Sequence, residues 1–166
     1  MVTSNTKLLQ VDLARQQLTL LSATETLATY SVSTAMNGPG EEEGSGCTPR
    51  GLHRIRLKIG HGLPEQAVFV GRRHTGELYS PALARANKQR DWILARILWL
   101  TGKESGKNRG GNVDSLSRFI YIHGTPASEP MGQVASHGCI RMNTSDMIDL
   151  FDRVSVGDLV EIRETF

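Results

Sequence analysis

RFIYIHGTPASEPMGQVASHGCIR, residues 118–141, carries both a secondary-structure signal and a chemical one. Ile120 and Ile122 alternate with Phe119 and Tyr121, the period-2 pattern of a strand. His123 falls where that strand should end. Gly124, Thr125 and Pro126 then break the pattern into a small-residue loop, which returns as Ser136-His137-Gly138-Cys139. A thiol beside an imidazole is what a cysteine nucleophile needs, because the thiolate is the reactive form and a free thiol is mostly protonated at pH 7. Three other readings share these residues. A free cysteine is often a small buried hydrophobe. A histidine at a strand end is often only a satisfied polar group. His123, His137 and Cys139 are also three zinc-ligand types. Zinc lacks an evident fourth ligand, since Cys47 belongs to a distant loop, and the chain has no paired C-x-x-C or H-x-x-x-H spacing.

Ile-His-Gly-Thr, a short loop and then S-H-G-C-I-R-M resembles the signature of the L,D-transpeptidase (YkuD-like) catalytic domain family, which includes L,D-carboxypeptidases. The likeness runs in order along nearly the whole chain. Val11–Leu18 resembles the family's opening strand and Tyr30–Thr34 its next segment. Thr48-Pro49-Arg50-Gly51 resembles its T-P-x-G turn, and Asn143–Val154 with Val156–Ile162 its closing helix and strand. This implies a mainly β fold with a few helices, an L,D-transpeptidase-type β-sandwich with the catalytic cysteine on the loop before a helix, in one domain over residues 1–166. The resemblance implies Cys139 as nucleophile and His123 as base, held by the backbone carbonyl of Gly124. Backbone N–H groups of His137, Gly138 and Cys139 would form an oxyanion hole. His137 is the rival base by position, but the resemblance assigns that role to the first histidine. Arg141 is a candidate for the substrate's carboxylate, since a guanidinium grips one bidentately; the alternative is a salt bridge at the start of the helix. Ser136 and Thr125 are further candidate substrate contacts. No metal and no cofactor is implied.

The implied partner is a peptidoglycan stem tetrapeptide. The bond cut joins a third-position diamino acid to D-alanine, and the thioester passes its acyl group to water or to an amine. Carbapenem-type β-lactams are the implied covalent inhibitors. Alternatives from other classes are an exported enzyme making 3-3 crosslinks, a binding module for wall peptides without activity, and a zinc protein. Twelve residues separate His123 from Ser136. Many family members have a slightly longer spacer and an asparagine where Arg141 stands, so the chain resembles the simpler branch.

With 166 residues the chain is long enough for one domain with a real core. A formal charge of +2, few aromatics and no basic stripe give no argument for nucleic acid. Two cysteines do not make a disulfide framework, and a Cys47–Cys139 bond would silence the proposed nucleophile. Met1–Lys7 shows no basic region followed by an apolar run, and Gln10, Asp12 and Arg15–Gln17 interrupt the apolar residues from Leu8 to Leu21. That is neither a signal peptide nor a membrane span, which needs about 20 mostly apolar residues. The expectation is a cytoplasmic protein without membrane attachment, or a periplasmic one if a leader has been removed.

Residues 7–34 are expected to form strands joined by Ala14–Gln17 and Thr24–Thr26, with the third strand over Leu27–Thr34. Met36–Pro49 reads as a glycine-rich loop whose Glu41-Glu42-Glu43 is a solvated tip. Leu52–Ile59 alternates apolar residues with Arg54, Arg56 and Lys58, a strand with one basic face, read as a wet sheet face with attraction to an acidic substrate as the alternative. Within 60–91 only a short strand at Val68–Val70 and a turn or two of helix at Pro81–Arg90 are expected. Trp92–Leu100 permits strand or helix, and the resemblance selects strand. Arg96 there should pair with a buried carboxylate or substrate, or sit at an edge. Thr101–Ser117 reads as a loop walling the cleft. Asn143–Val154 has helical spacing, with Met147, Ile148, Leu150, Phe151 and Val154 on one face, Asn143 or Thr144 as cap, and Asp146 in the first turn.

Overall fold

The computed structural model describes residues 5–166; Met1–Ser4, the first residues of the stretch read for a leader, lie outside the described residues. The strands are β1 (Lys7–Asp12), β2 (Gln17–Ser22), β3 (Glu25–Ser31), β4 (Gly51–Ile59), β5 (Ala67–Val70), β6 (Arg73–Leu78), β7 (Ile93–Gly102), β8 (Tyr121–Thr125), β9 (Ile140–Asn143) and β10 (Leu159–Arg163). Two helices accompany them, α1 (Pro81–Ala86) and α2 (Thr144–Arg153). One sheet runs β3-β2-β1-β10-β4-β7-β5-β6, with β8 added to β7 and β9 to β8. The layers expected of a sandwich therefore come from a single sheet that curls. Leu9, Leu18 and Tyr30 from its first strands share a core with Ile122, Ile140 and Met142 from the other end. Tyr30 Oη donates to Asp149 Oδ2 of α2 at 2.7 Å, and Ser33 bridges Arg141, closing the curl.

Helix α2 fills the open side of this core. Its periodic apolar residues Met147, Leu150 and Phe151 are buried, each worth ~1.5–3 kcal/mol of burial. Asn143 is the cap, its Oδ1 accepting from the Asp146 N–H at 2.9 Å. At the other end Lys58 Nζ donates to the carbonyls of Phe151 and Val154, both at 2.7 Å, placing a cation at the negative pole of the helix. That use of Lys58 corrects the expectation of a wet basic face. A bulge between Ile55 and Leu57 switches the strand's faces, so Lys58 turns inward while Leu57 is partly exposed.

Other expectations shift in detail. The turns fall one residue or so early, at Leu13–Gln16 and Ala23–Thr24, and β3 ends at Ser31. Edge strand β6 was not expected; every residue in it but Glu77 is exposed, so it carries no apolar alternation. The strand over Trp92–Leu100 is present as β7 and continues through Thr101 and Gly102. Arg96 in it is neither at an edge nor paired with a carboxylate. It is 7% exposed, donates to the carbonyls of Leu63 (2.8 Å) and Ala95 (2.7 Å), and lies 5.6 Å over the Phe151 ring.

His53 fastens β4 to the loop that leads into β8. It is fully buried, with Nδ1 3.0 Å from Gly51 O and Nε2 2.8 Å from Ser115 Oγ. Burial pushes its pKa down from 6.5 to about 4. The unfolded chain takes up this proton first, so the stability it contributes is complete above pH 6.5 and is lost as pH falls toward about 4. His53→Gln should remove ~1.4 kcal/mol per pH unit from the slope of urea-unfolding free energy between about pH 6 and 4.5. An unchanged slope would mean that His53 is not buried neutral.

Candidate active site

The site is made by two short parallel strands. Ile122 of β8 pairs with Ile140 of β9, and His123 pairs with Arg141. Side chains alternate across a strand. Ile122, Ile140 and Met142 therefore enter the main core, while Tyr121, His123, Cys139 and Arg141 share the opposite face. His123 is not at the strand end: β8 continues through Gly124 and Thr125, which correspond to Met142 and Asn143 of β9. Gly124 is here for close approach rather than as a breaker, since a Cβ on it would sit 2.5 Å from Leu94 O of β7. Cys139 immediately precedes β9, so a four-residue strand intervenes between the cysteine and α2.

His123 is 2% exposed, and its Nδ1 lies 2.7 Å from Gly124 O. A carbonyl only accepts, so Nδ1 carries the hydrogen and Nε2 of the neutral ring keeps a free lone pair. The Cys139 thiol contacts the Tyr121 N–H and the Phe119 carbonyl, both at 3.3 Å. Phe119 reaches the thiol through a left-handed backbone, φ 57°, which is unusual for a bulky residue and so absent from the strand expected there.

The turn before Cys139 is tied by Ser136. Its Oγ donates to Cys139 O at 2.6 Å and accepts from the Gly138 N–H at 3.2 Å. The Ser136 hydroxyl is thus spent inside the turn, and so is the Gly138 N–H. The N–H groups of His137 and Cys139 have no acceptor among the described residues, and they are the open donors of this turn. Gly138 has φ 136°, and a Cβ on it would meet Cys47 O at 3.3 Å. Thr48 Oγ1 donates to Gly138 O at 2.9 Å and accepts from the Ala35 N–H at 3.0 Å, so the Thr48–Gly51 turn buttresses the cysteine turn from behind. Thr125 is buried, 2% exposed, in the strand.

Arg141 is also buried and already engaged. Its Nη2 lies 3.0 Å from Asp91 Oδ1 and its Nη1 3.6 Å from Glu129 Oε2. Asp91 Oδ2 also stands 3.9 Å from Nδ1 of the exposed His137. Two clefts meet at His137. One, of about 370 Å³, exposes Cys139, Phe119, Arg118 and Glu43. The other, of about 280 Å³, is lined by Arg141, Asp91 and Glu129. The sequence reading thus brought Cys139, His123 and His137 to one place. It missed roles for Asp91, Phe119 and Arg118, which come from tertiary contacts; Arg118 and Phe119, at the start of the central stretch, had only a positional hint. Cys47 and Cys139 are both free. Among the described residues no group of three or more His, Cys, Asp and Glu is arranged to hold a metal.

A model of the YkuD L,D-transpeptidase catalytic domain matches residues 6–162, so the chain belongs to that family, whose members are cysteine enzymes acting on peptidoglycan. It is 45% identical over 47 residues to the "Probable L,D-transpeptidase ErfK/SrfK" of Escherichia coli K12, 28% of this chain and 15% of that protein. It is 41% identical over 46 residues to the "Probable L,D-transpeptidase YbiS" of the same strain, again 28% and 15%. The fold is similar to an L,D-transpeptidase of Xylanimonas cellulosilytica, with TM-score 0.55, 18% identity, and 98% of this chain over 63% of that one. It is also similar to L,D-transpeptidase 3 of Mycobacterium tuberculosis bearing a faropenem-derived adduct, with TM-score 0.59, 14% identity, and 96% of this chain over 60% of that one.

Burial pushes both reactive groups toward their neutral forms. Burial raises the Cys139 pKa from 9.0 to about 11 despite the opposing effects of the Tyr121 N–H, Arg141 and Arg118. Burial likewise lowers the His123 pKa below 6.5. Both shifts favour a thiol and a neutral imidazole over a thiolate–imidazolium pair. Iodoacetamide should alkylate Cys139 slowly at neutral pH, the rate climbing roughly tenfold per pH unit from about 8 to 10. Peptide mapping of the alkylated chain reads this apart from Cys47. A fast, pH-independent rate near neutrality would show an ion pair instead.

Proposed function

We propose that the chain cleaves the bond between the third-position diamino acid and D-alanine of peptidoglycan stem tetrapeptides, through a thioester on Cys139. The observation that carries this is the pairing of β8 with β9, which puts a thiol and a tautomer-locked imidazole on one face of the strand pair in a family member. Sγ attacks the L-centre carbonyl as its proton passes to His123 Nε2. The oxyanion takes the open N–H groups of His137 and Cys139; each such donor is worth about 2.7–4 kcal/mol in the transition state. His123 returns the proton to the leaving D-alanine amine, and then activates the acceptor. Because burial favours the neutral forms of His123 and of the thiol, proton transfer accompanies attack.

Water is the acceptor in this reading, which makes the chain an L,D-carboxypeptidase of soluble, recycled wall fragments. The cleft over Cys139, at about 370 Å³, lies in the size range of small-ligand pockets. One feature favours an amine instead. The second cleft meets the first at His137 and presents the part-exposed carboxylates of Asp91 and Glu129, which suit the ammonium of an acceptor peptide. Carbapenem-type β-lactams, whose strained ring offers an acylating carbonyl, fit the same nucleophile.

Products of a disaccharide tetrapeptide, resolved by mass spectrometry with and without an added amine, separate the readings. Tripeptide and free D-alanine should dominate, dimer being minor. Predominant dimer would overturn the hydrolytic reading and leave the acyl-enzyme. Cys139→Ala should abolish D-alanine release, and His123→Ala should slow it by about 10²–10⁴, more than His137→Ala does. Turnover surviving in Cys139→Ala would overturn the acyl-enzyme itself.

A further inference from the structure

Among the described residues, one guanidinium is built into the wall of the cleft over Cys139. Arg118 stands on the loop leading into β8, and its half-buried guanidinium is wedged against residues 40–47. Nη1 donates to Gly40 O (3.3 Å) and Glu41 O (3.0 Å), and Nη2 to Ser45 Oγ (3.4 Å) and Cys47 O (2.8 Å). All four acceptors are neutral. Among the described residues no carboxylate forms an ion pair with Arg118, whereas the nearby Glu41 carboxylate is taken by Arg50 at 3.0 Å. Arg141 presents the opposite case: two carboxylates hold it, and it lines the other cleft.

We propose that Arg118 is the specificity-determining residue for the anionic end of the substrate, the α-carboxylate of the leaving D-residue. This rests on the acyl-enzyme reading above. That carboxylate is three bonds from the scissile carbonyl carbon, so it enters the same cleft as the carbon that meets Sγ. Arg118 is the guanidinium lining that cleft. Its neutral acceptors fix it in place without cancelling its charge, and a charge held at a partly desolvated wall acts more strongly than one in water. With four donors occupied, Arg118 acts mainly as a positioned charge. Glu43, the acid lining the same cleft, lies on an exposed turn.

The test compares two tetrapeptides, one ending in D-alanine and one in D-alaninamide, by kcat/KM for release of the last residue. Wild type should favour the acid by about tenfold or more, the factor that ~1.4 kcal/mol of attraction gives. Arg118→Gln should bring the ratio close to one, Arg118→Lys should keep a preference for the acid, and Arg141→Gln should leave the ratio unchanged. A role confined to holding residues 40–47 would lower both rates together and keep the ratio, which would overturn the proposal. So would equal rates for both peptides in wild type, or a ratio that collapses in Arg141→Gln. If Arg118→Gln fails to fold by circular dichroism, salt decides: rising ionic strength should slow the acid selectively in wild type, and equal slowing contradicts the proposal. Failure of the acyl-enzyme reading looks different, because wild type would then release nothing from either peptide.

Discussion

Parallel pairing of β8 with β9 is the constraint on which the site depends. Parallel neighbours cannot be joined by a tight turn; the chain must cross over, using about a dozen residues or more. Residues 126–139 make that crossover and end in the turn that carries Cys139. A slip of one residue in either strand would move its whole set of side chains to the other face. His123 would then enter the core, and Ile122 would face the cleft. The register is held from both sides. Ile122 and Ile140 are fully buried against α2, and Leu94 of β7 crowds Gly124 so closely that only a residue without a side chain fits.

Burial then decides how the chemistry is stored. The face that bears Cys139 packs with Tyr121, Ile97 and Ala67 and Phe69 of β5, so a thiolate there is costly and the resting thiol stays protonated. Charge is instead placed around the site in fixed positions: Arg141 with Asp91 and Glu129 on one side, Arg118 in its cradle of carbonyls on the other. In the proposed reaction the open N–H groups of His137 and Cys139 would meet the developing negative charge. Groups held in advance of the reaction need not reorganise during it, which is where electrostatic stabilisation is most effective. The Thr48 hydroxyl and Ser136 Oγ give the turn its rigidity, each satisfying polar groups that would otherwise be buried and unpaired.

Much of this was legible in the sequence where the signal is local. The alternating strands, the capped amphipathic helix and the histidine and cysteine of the central stretch all stand out at the right period or spacing. Legibility failed where distant contacts override local pattern. Gly124 and Thr125 look like breakers, yet two neighbouring strands hold them extended. The bulge in β4 is invisible in an alternation that continues past it, and β6, exposed on nearly every residue, gives no apolar signal. Arg96 breaks the expectation that a buried charge finds a carboxylate, because carbonyls and the Phe151 ring surround it. Asp91 and Arg118 meet the site from far along the chain or through their side chains alone, so spacing could not reveal them.

The central claim is that Cys139 on this strand pair forms the acyl-enzyme. Acid quenching during turnover of the disaccharide tetrapeptide, followed by tryptic digestion and mass spectrometry, tests it most directly. Cleavage after Arg118 and Arg141 isolates residues 119–141, which contain Cys139 but not Cys47. That peptide should carry the mass of the substrate acyl group without its D-alanine, and hydroxylamine should remove it as a thioester. D-alanine released with no such adduct, or an adduct found on Cys47, would contradict the account.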